Sequence, residues 1–319
     1  MPIISKTYKP HWLLRNGHVH TIYPALFRKP QAVLWQRQRL ELPDGDFLNL
    51  DWHRQNSQKL VVLGHGLEGS SSSTYIQAAA HMFYQNGFDV LAWNHRSCGG
   101  EMNRLPRFYH HGVSDDLHMV MQQTSNYAAV HYVGYSLGGN VLLKYFGEEK
   151  FAKPQNLLRA VAISAPIDLH SCVQEIHRVH NRLYHNRFLK SLLAKVVEKH
   201  QLMPNDISIA HLTKIKTLTD FDHYYTAPLH GFDSPKDYYT RASSRQFLPN
   251  ITLPVLLLQA QDDPMLGHTC YPITEAQASE NLHLIITKHG GHVAFMQKGK
   301  RIHWMEEVAL EFVGGLGKL

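Results

Sequence analysis

From residue 59 onward, short apolar runs alternate with longer amphipathic stretches, and this alternation constrains the sequence more than any other feature. Residues 59–63 read KLVVL and stop at Gly64, as a strand buried on both faces would. Residues 73–85 then carry Tyr75, Ile76, Ala79, Ala80 and Phe83 at helical spacing. The pattern repeats: a strand at 88–93, a helix at 113–125, a strand at 129–133, a helix at 137–147 and a strand at 157–163. Strands at 254–260 and 282–287, with a helical stretch between them, precede a last helix at 302–313. Repeated strand–helix–strand units predict a mostly parallel sheet with helices on both faces. Ahead of them, residues 33–42 and 47–54 flank Pro43-Asp44-Gly45-Asp46, a turn that predicts an antiparallel hairpin at one sheet edge.

The alternation fails between Ile167 and Asn250. An interruption this long is expected to be structured and functional, here as a cap over the C-terminal edge of the sheet. Within it, Phe188, Leu189, Leu192, Leu193, Val196 and Val197 predict an amphipathic helix over about 187–199, with Lys190, Lys195 and Lys199 on its watery faces. The expected organisation is one α/β domain over 1–319, with an N-terminal extension at 1–32 and a cap insertion at about 168–250. Hydrophobic residues at 44% and charged ones at 18% exclude a disordered or fibrous chain. Cys98, Cys172 and Cys270 form no C-x-x-C pair, which argues against a disulfide framework or a thiolate zinc site and suits a reducing cytoplasm. The first residues hold Lys6 and Lys9 with no apolar run behind them, so neither a secretory leader nor an integral membrane segment is expected. The formal net charge of +6, with 24 histidines besides, permits weak attraction to anionic surfaces. The basic residues are dispersed and form no nucleic-acid module, so no nucleic-acid partner is expected. Nothing in the sequence sets the oligomeric state.

The chemistry is concentrated in Gly134-Tyr135-Ser136-Leu137-Gly138, a G-x-S-x-G pentapeptide between a predicted strand and a predicted helix. A turn that sharp strains the serine and projects its hydroxyl beyond the sheet, which only small residues two positions away permit. A serine nucleophile needs a histidine base and an orienting carboxylate, in the chain order Ser, acid, His. The strand at 254–260 ends in Gln261-Asp262-Asp263-Pro264, and Asp263 is favoured over Asp262 because a following proline fixes an extended backbone. After the last strand comes His289-Gly290-Gly291-His292, where His292 is favoured as the base and His289 as a supporting residue. The oxyanion hole requires two backbone N–H groups. Leu137 supplies one, and Leu67, in Gly64-His65-Gly66-Leu67-Glu68-Gly69, is the candidate for the other, with His65 bracing that loop.

Two weaker patterns are read structurally. His110 to Asp115 and His111 to Asp116 match an H-x4-D spacing found in some acyltransferases, but the aspartates also fit the first turn of a helix capped by Ser114. His18 and His20, with His11 nearby, lack a carboxylate or thiolate partner in sequence, so no metal is expected.

Several segments besides the pentapeptide are particular to one family. Residues 12–22 (WLLRNGHVHTI), 63–70 (LGHGLEGS), 94–100 (NHRSCGG), 109–117 (YHHGVSDDL), 134–143 (GYSLGGNVLL) and 289–295 (HGGHVAF) resemble the YheT-like branch of the α/β-hydrolase-domain serine esterases. The likeness spans almost the whole chain and implies the α/β-hydrolase fold, with the family triad on Ser136, Asp263 and His292. The expected activity is hydrolysis of a small-molecule carboxylic ester through an acyl-enzyme, with no cofactor. A transferase or thioesterase using the same serine is the alternative, and a non-catalytic binding module ranks below both.

Overall fold

The apolar runs become the inner strands of one eight-stranded sheet. The computed structural model describes residues 3–297 and 299–315. Its strands are β1 (Gln36–Glu41), β2 (Phe47–His53), β3 (Lys59–Gly64), β4 (Asp89–Asn94), β5 (Ala129–Tyr135), β6 (Leu157–Ile163), β7 (Val255–Ala260) and β8 (Leu282–Thr287). They lie in the order β1-β2-β4-β3-β5-β6-β7-β8, antiparallel across β1–β2 and β2–β4 and parallel from β4 to β8. A parallel strand covered on both faces needs apolar residues in succession, not in alternation. Every residue of β7 (VLLLQA) is accordingly buried. The expected hairpin is β1–β2, and β1 keeps a polar sequence, QRQRLE, that is exposed except at Leu40. Charged side chains there discourage pairing with another edge.

The helices are α1 (Gly17–Phe27), α2 (Thr74–Gln85), α3 (Ser114–Gln122), α4 (Leu137–Gly147), α5 (Leu169–Ile176), α6 (Arg182–Leu202), α7 (Leu218–Phe221), α8 (Ala227–Leu229), α9 (Pro235–Ala242), α10 (Ile273–Gln277) and α11 (Trp304–Val313). α2 and α11 build one apolar layer with Ile76, Phe83, Met305 and Val308, and α3 and α4 build the other with Leu117, Val120, Val141 and Leu142. The loops after β3, β5, β7 and β8 therefore emerge together at the C-terminal edge, where open α/β sheets place their sites. Among the described residues, no helix is long and apolar enough to cross a membrane.

Two expectations need correction. Ser114 is the first helical residue of α3, not its cap: Val113 holds the cap position, and the Ser114 N–H is spent on the Gly112 carbonyl at 2.8 Å. The lysines of the amphipathic helix do not all reach water. α6 is 21 residues long, and Lys195 and Lys199 pack on the loops that follow β3 and β4, while Lys190 is exposed. Lys199 is fully buried, donating to Asn103 Oδ1 at 2.5 Å and the Arg107 carbonyl at 3.0 Å, and burial pushes its pKa down to about 7. Lys195 pairs with Glu68.

Beneath Lys199 lies a buried ionic cluster. Arg96 donates to both oxygens of Asp116 (2.9 and 2.7 Å) and to Asp46 (2.6 Å), while Asn103 links Asp46 to Lys199. Removing one partner of a buried pair strands the others. Arg96→Met is expected to lower unfolding stability by about 3–5 kcal/mol in urea titration. A loss below about 1 kcal/mol would mean that the two carboxylates regain water at little cost.

Candidate active site

Ser136 sits at the turn from β5 into α4 with φ +52° and ψ −119°, a conformation costly for a residue with a side chain. The surroundings enforce it. A Cβ on Gly134 would lie 2.4 Å from the Gly138 carbonyl oxygen, and one on Gly138 would lie 2.4 Å from the Gly64 carbonyl oxygen. Glycine at both positions lets α4 close on β3 and β5, and the Ser136 N–H is fixed by the Ile163 carbonyl at 2.9 Å.

The loops after β7 and β8 meet this serine. His292 Nε2 lies 2.9 Å from Ser136 Oγ, and His292 Nδ1 lies 2.8 and 3.0 Å from the two oxygens of Asp263. The Asp263 side chain is fully buried and accepts a further bond from the Met265 N–H. Asp262 turns the other way, accepting from the Gly291 N–H at 2.9 Å and facing His289 Nδ1 at 3.2 Å. Burial raises the Asp262 pKa, while the Gly291 N–H and His289 oppose the shift. Two His–Asp pairs thus stand side by side, and only the Asp263–His292 pair touches the serine.

Leu67 and Leu137 line the cavity shared by Ser136 and His292. Among the described residues, neither of their N–H groups has a protein acceptor. The loop carrying Leu67 is fastened on both sides. Tyr75 Oη accepts from the Gly66 N–H at 2.9 Å, and Tyr109 Oη accepts from the Glu68 N–H at 2.7 Å. Glu68, at φ +55°, sends its carboxylate to Tyr109 Oη (2.7 Å), Ser191 Oγ (2.5 Å) and Lys195 Nζ (2.7 Å). Burial opposes its charge, yet Lys195 and these hydroxyls hold Glu68 below the usual carboxylate range. His65 is buried beneath, with Nδ1 2.8 Å from the Gly66 carbonyl and Nε2 accepting from the His95 N–H, and burial pushes its pKa down to about 4.

The cavity lies above the serine and opens to solvent. Its walls are mainly apolar, with Phe188 and Leu192 from α6, Leu169 and Ile176 from α5, and Leu218 and Phe221 from α7. Leu193 is turned away from it and packs on the core instead. His110 and His111 also line the cavity but form no hydrogen bond with the aspartates of the H-x4-D spacing: His111 Nδ1 bonds Tyr238 Oη at 2.8 Å, and Asp116 grips Arg96.

The N-terminal helix was missed as part of this site. The Thr21 hydroxyl accepts the His292 N–H at 2.9 Å and donates to the Gly17 carbonyl. Gly17 lies so close to the acid loop that a Cβ there would stand 1.8 Å from the Asp262 carbonyl oxygen. His20, held neutral by a burial that pushes its pKa down to about 4, accepts from the Met296 N–H. His18, on another face of α1, bonds Tyr184 Oη, so the H-x-H pair serves two separate contacts. No spacing rule links residue 21 to residue 292; the available signal was the run WLLRNGHVHTI itself.

A strained serine between β5 and α4, reached by a histidine and an aspartate from the last two strand loops, is an arrangement with known counterparts. A family model described as the alpha/beta hydrolase fold matches residues 59–299. The chain belongs to the α/β-hydrolase family. Within it, the chain is 34% identical over 304 residues to the provisionally named esterase YheT of Escherichia coli (strain K12), covering 91% of this chain and 88% of that one. It is also 29% identical to phospholipase ABHD3 of Mus musculus, covering 98% of this chain and 79% of that protein. Among solved structures, the esterase Pf2001 of Pyrococcus furiosus superposes with a TM-score of 0.57 at 17% identity, over 89% of this hydrolase and 93% of that chain, a likeness of fold.

Proposed function

We propose that this hydrolase cleaves carboxylic esters through an acyl-enzyme on Ser136. The observation that carries the reading is the 2.9 Å contact between Ser136 Oγ and His292 Nε2, backed by Asp263 on Nδ1. As Ser136 Oγ attacks the ester carbon, its proton passes to His292 Nε2, and Asp263 holds the ring in the tautomer that can receive it. The N–H groups of Leu67 and Leu137 stabilise the oxygen that becomes negative. His292 then returns the proton to the leaving alcohol. Water, deprotonated by the same nitrogen, releases the acid and regenerates Ser136. This sequence uses no metal or organic cofactor. Stoichiometric treatment with a fluorophosphonate should label Ser136 alone on peptide mapping, and labelling that spares Ser136 overturns the reading.

The apolar walls beneath α5, α6 and α7 favour an alkyl acyl group. Esterase and phospholipase names among the relatives agree with an acyl-ester substrate. Leu192→Asp is expected to lower kcat/KM about tenfold or more for octanoyl esters and less than about twofold for acetyl esters, since only the longer chain uses that wall. Leu193→Asp should not show this chain-length dependence. Equal loss at every chain length in Leu192→Asp removes α6 from the acyl site.

A further inference from the structure

α1 has two opposed faces. Gly17, His20, Thr21 and Pro24 are buried against the loops that carry Asp262 and His292. On the outer side, Val19, Tyr23, Leu26 and Phe27 stand in water, Leu26 at 68% and Phe27 at 63% exposure. A surface helix ordinarily places polar residues there. Trp12, 68% exposed, lies in the short turn leading into the helix. The patch continues onto the segment that joins α5 to α6. His18 stacks on Tyr184 and meets His180 edge-on, each with ring centroids 5.7 Å apart, which brings exposed Val179 and Leu183 alongside.

The two stretches of chain that build this patch carry charge of one sign, and beyond the end of α1 Glu306 and Glu307 are engaged by Arg28 and Lys300. Residues 1–40 contain no Asp or Glu, nor does the stretch between Glu175 and Glu198. Arg15, Lys29, Arg182 and Arg187 are exposed within these stretches. Glu175, at the margin, is occupied by Arg178 and His180.

We propose that this face, α1 with the α5–α6 junction, docks on an anionic lipid bilayer. Large apolar side chains ringed by cations match an interface with hydrocarbon below and phosphate above. A second copy fits poorly, because a two-fold interface would set the same cationic surface against itself. A nucleic acid would meet the cations but leave the apolar side chains in water. The docked face adjoins the histidine and acid loops, so a lipid ester leaving the bilayer has a short path to the cavity.

Docking does not depend on the proposed chemistry, and the test keeps the two apart. The full chain carrying Ser136→Ala, which cannot consume lipid on that reading, is sedimented with phosphatidylcholine vesicles and with mixed phosphatidylglycerol–phosphatidylcholine vesicles. Binding is expected to the mixed vesicles, to weaken as salt rises, and to shift Trp12 emission to the blue. Leu26→Glu with Phe27→Glu should reduce binding roughly tenfold or more, and Arg15→Gln with Arg182→Gln should reduce its salt dependence. In the otherwise wild-type enzyme, neither pair should alter hydrolysis of a soluble acetyl ester. The proposal is overturned by equal binding to both vesicle types, by no binding at low salt, or by a Leu26→Glu/Phe27→Glu variant that binds as tightly as its parent. It is likewise overturned if that variant only dissociates a dimer in light scattering, or if the face captures DNA in preference to the mixed vesicles. Loss of ester hydrolysis in the wild type alongside intact docking would count against the chemistry alone.

Discussion

Ser136→Ala is expected to lower kcat for a short p-nitrophenyl ester by about 10⁶-fold, the scale seen when a serine nucleophile is removed from such a constellation. The same substitution should leave the circular dichroism and the urea midpoint nearly unchanged. His292→Gln should fall almost as far. The double variant should be little worse than either single one, because on the proposed chemistry the two side chains act as one unit across their 2.9 Å contact. A Ser136→Ala enzyme keeping within about tenfold of wild-type turnover would mean that another group attacks the ester.

Glu68→Ala should cost about 10²-fold in kcat, with KM for an acetyl ester nearly constant. Glu68 touches no reacting atom. It follows Leu67 directly and is tied to Tyr109, Ser191 and Lys195, so its loss loosens the loop that carries the proposed oxyanion donor, the Leu67 N–H. Lys195→Met should reproduce much of the effect by leaving a buried carboxylate without its cation. The two substitutions together should be less than additive, since they break the same contact. A rise in KM with kcat preserved would instead make Glu68 part of ground-state binding.

The parts of the molecule legible in sequence were those in which one local segment carries the physical reason. Runs such as LVVL and VLLLQ declare strands buried on both faces, and the pentapeptide around Ser136 declares a turn that tolerates no Cβ two positions to either side. Asp263 stood out because of Pro264, and His292 because of the paired glycines before it. What escaped was contact between segments far apart in the chain. Thr21 meets His292 across 271 positions, and nothing in its neighbours announces that. Lys199 looked like a solvated helix position, because helical periodicity assigns faces without knowing what else packs on them. Its amine finds Asn103 and the Arg107 carbonyl about a hundred residues earlier in the chain. Ser114 looked like a cap because residue type points to that role, whereas the bond from its N–H to Gly112 starts the helix one position sooner.

The seating of Gly17 and Thr21 against the loops at 262 and 292 also bears on how the protein is made. Translation delivers α1 long before those loops, so the buried face of α1 lacks its partners at 262 and 292 until they too have left the ribosome. Contacts so remote in sequence form late and slowly, because a very long loop must close before they return anything. A nascent chain can therefore possess its folded serine turn and still lack the histidine proposed to activate it. Until those loops emerge, the outer apolar side of α1 and the inner face that will meet them are both uncovered, which is the interval when a chaperone would find the most to hold. On the proposed chemistry, activity should thus appear only once the loop of residue 292 has emerged and docked, and not build up as successive strands dock.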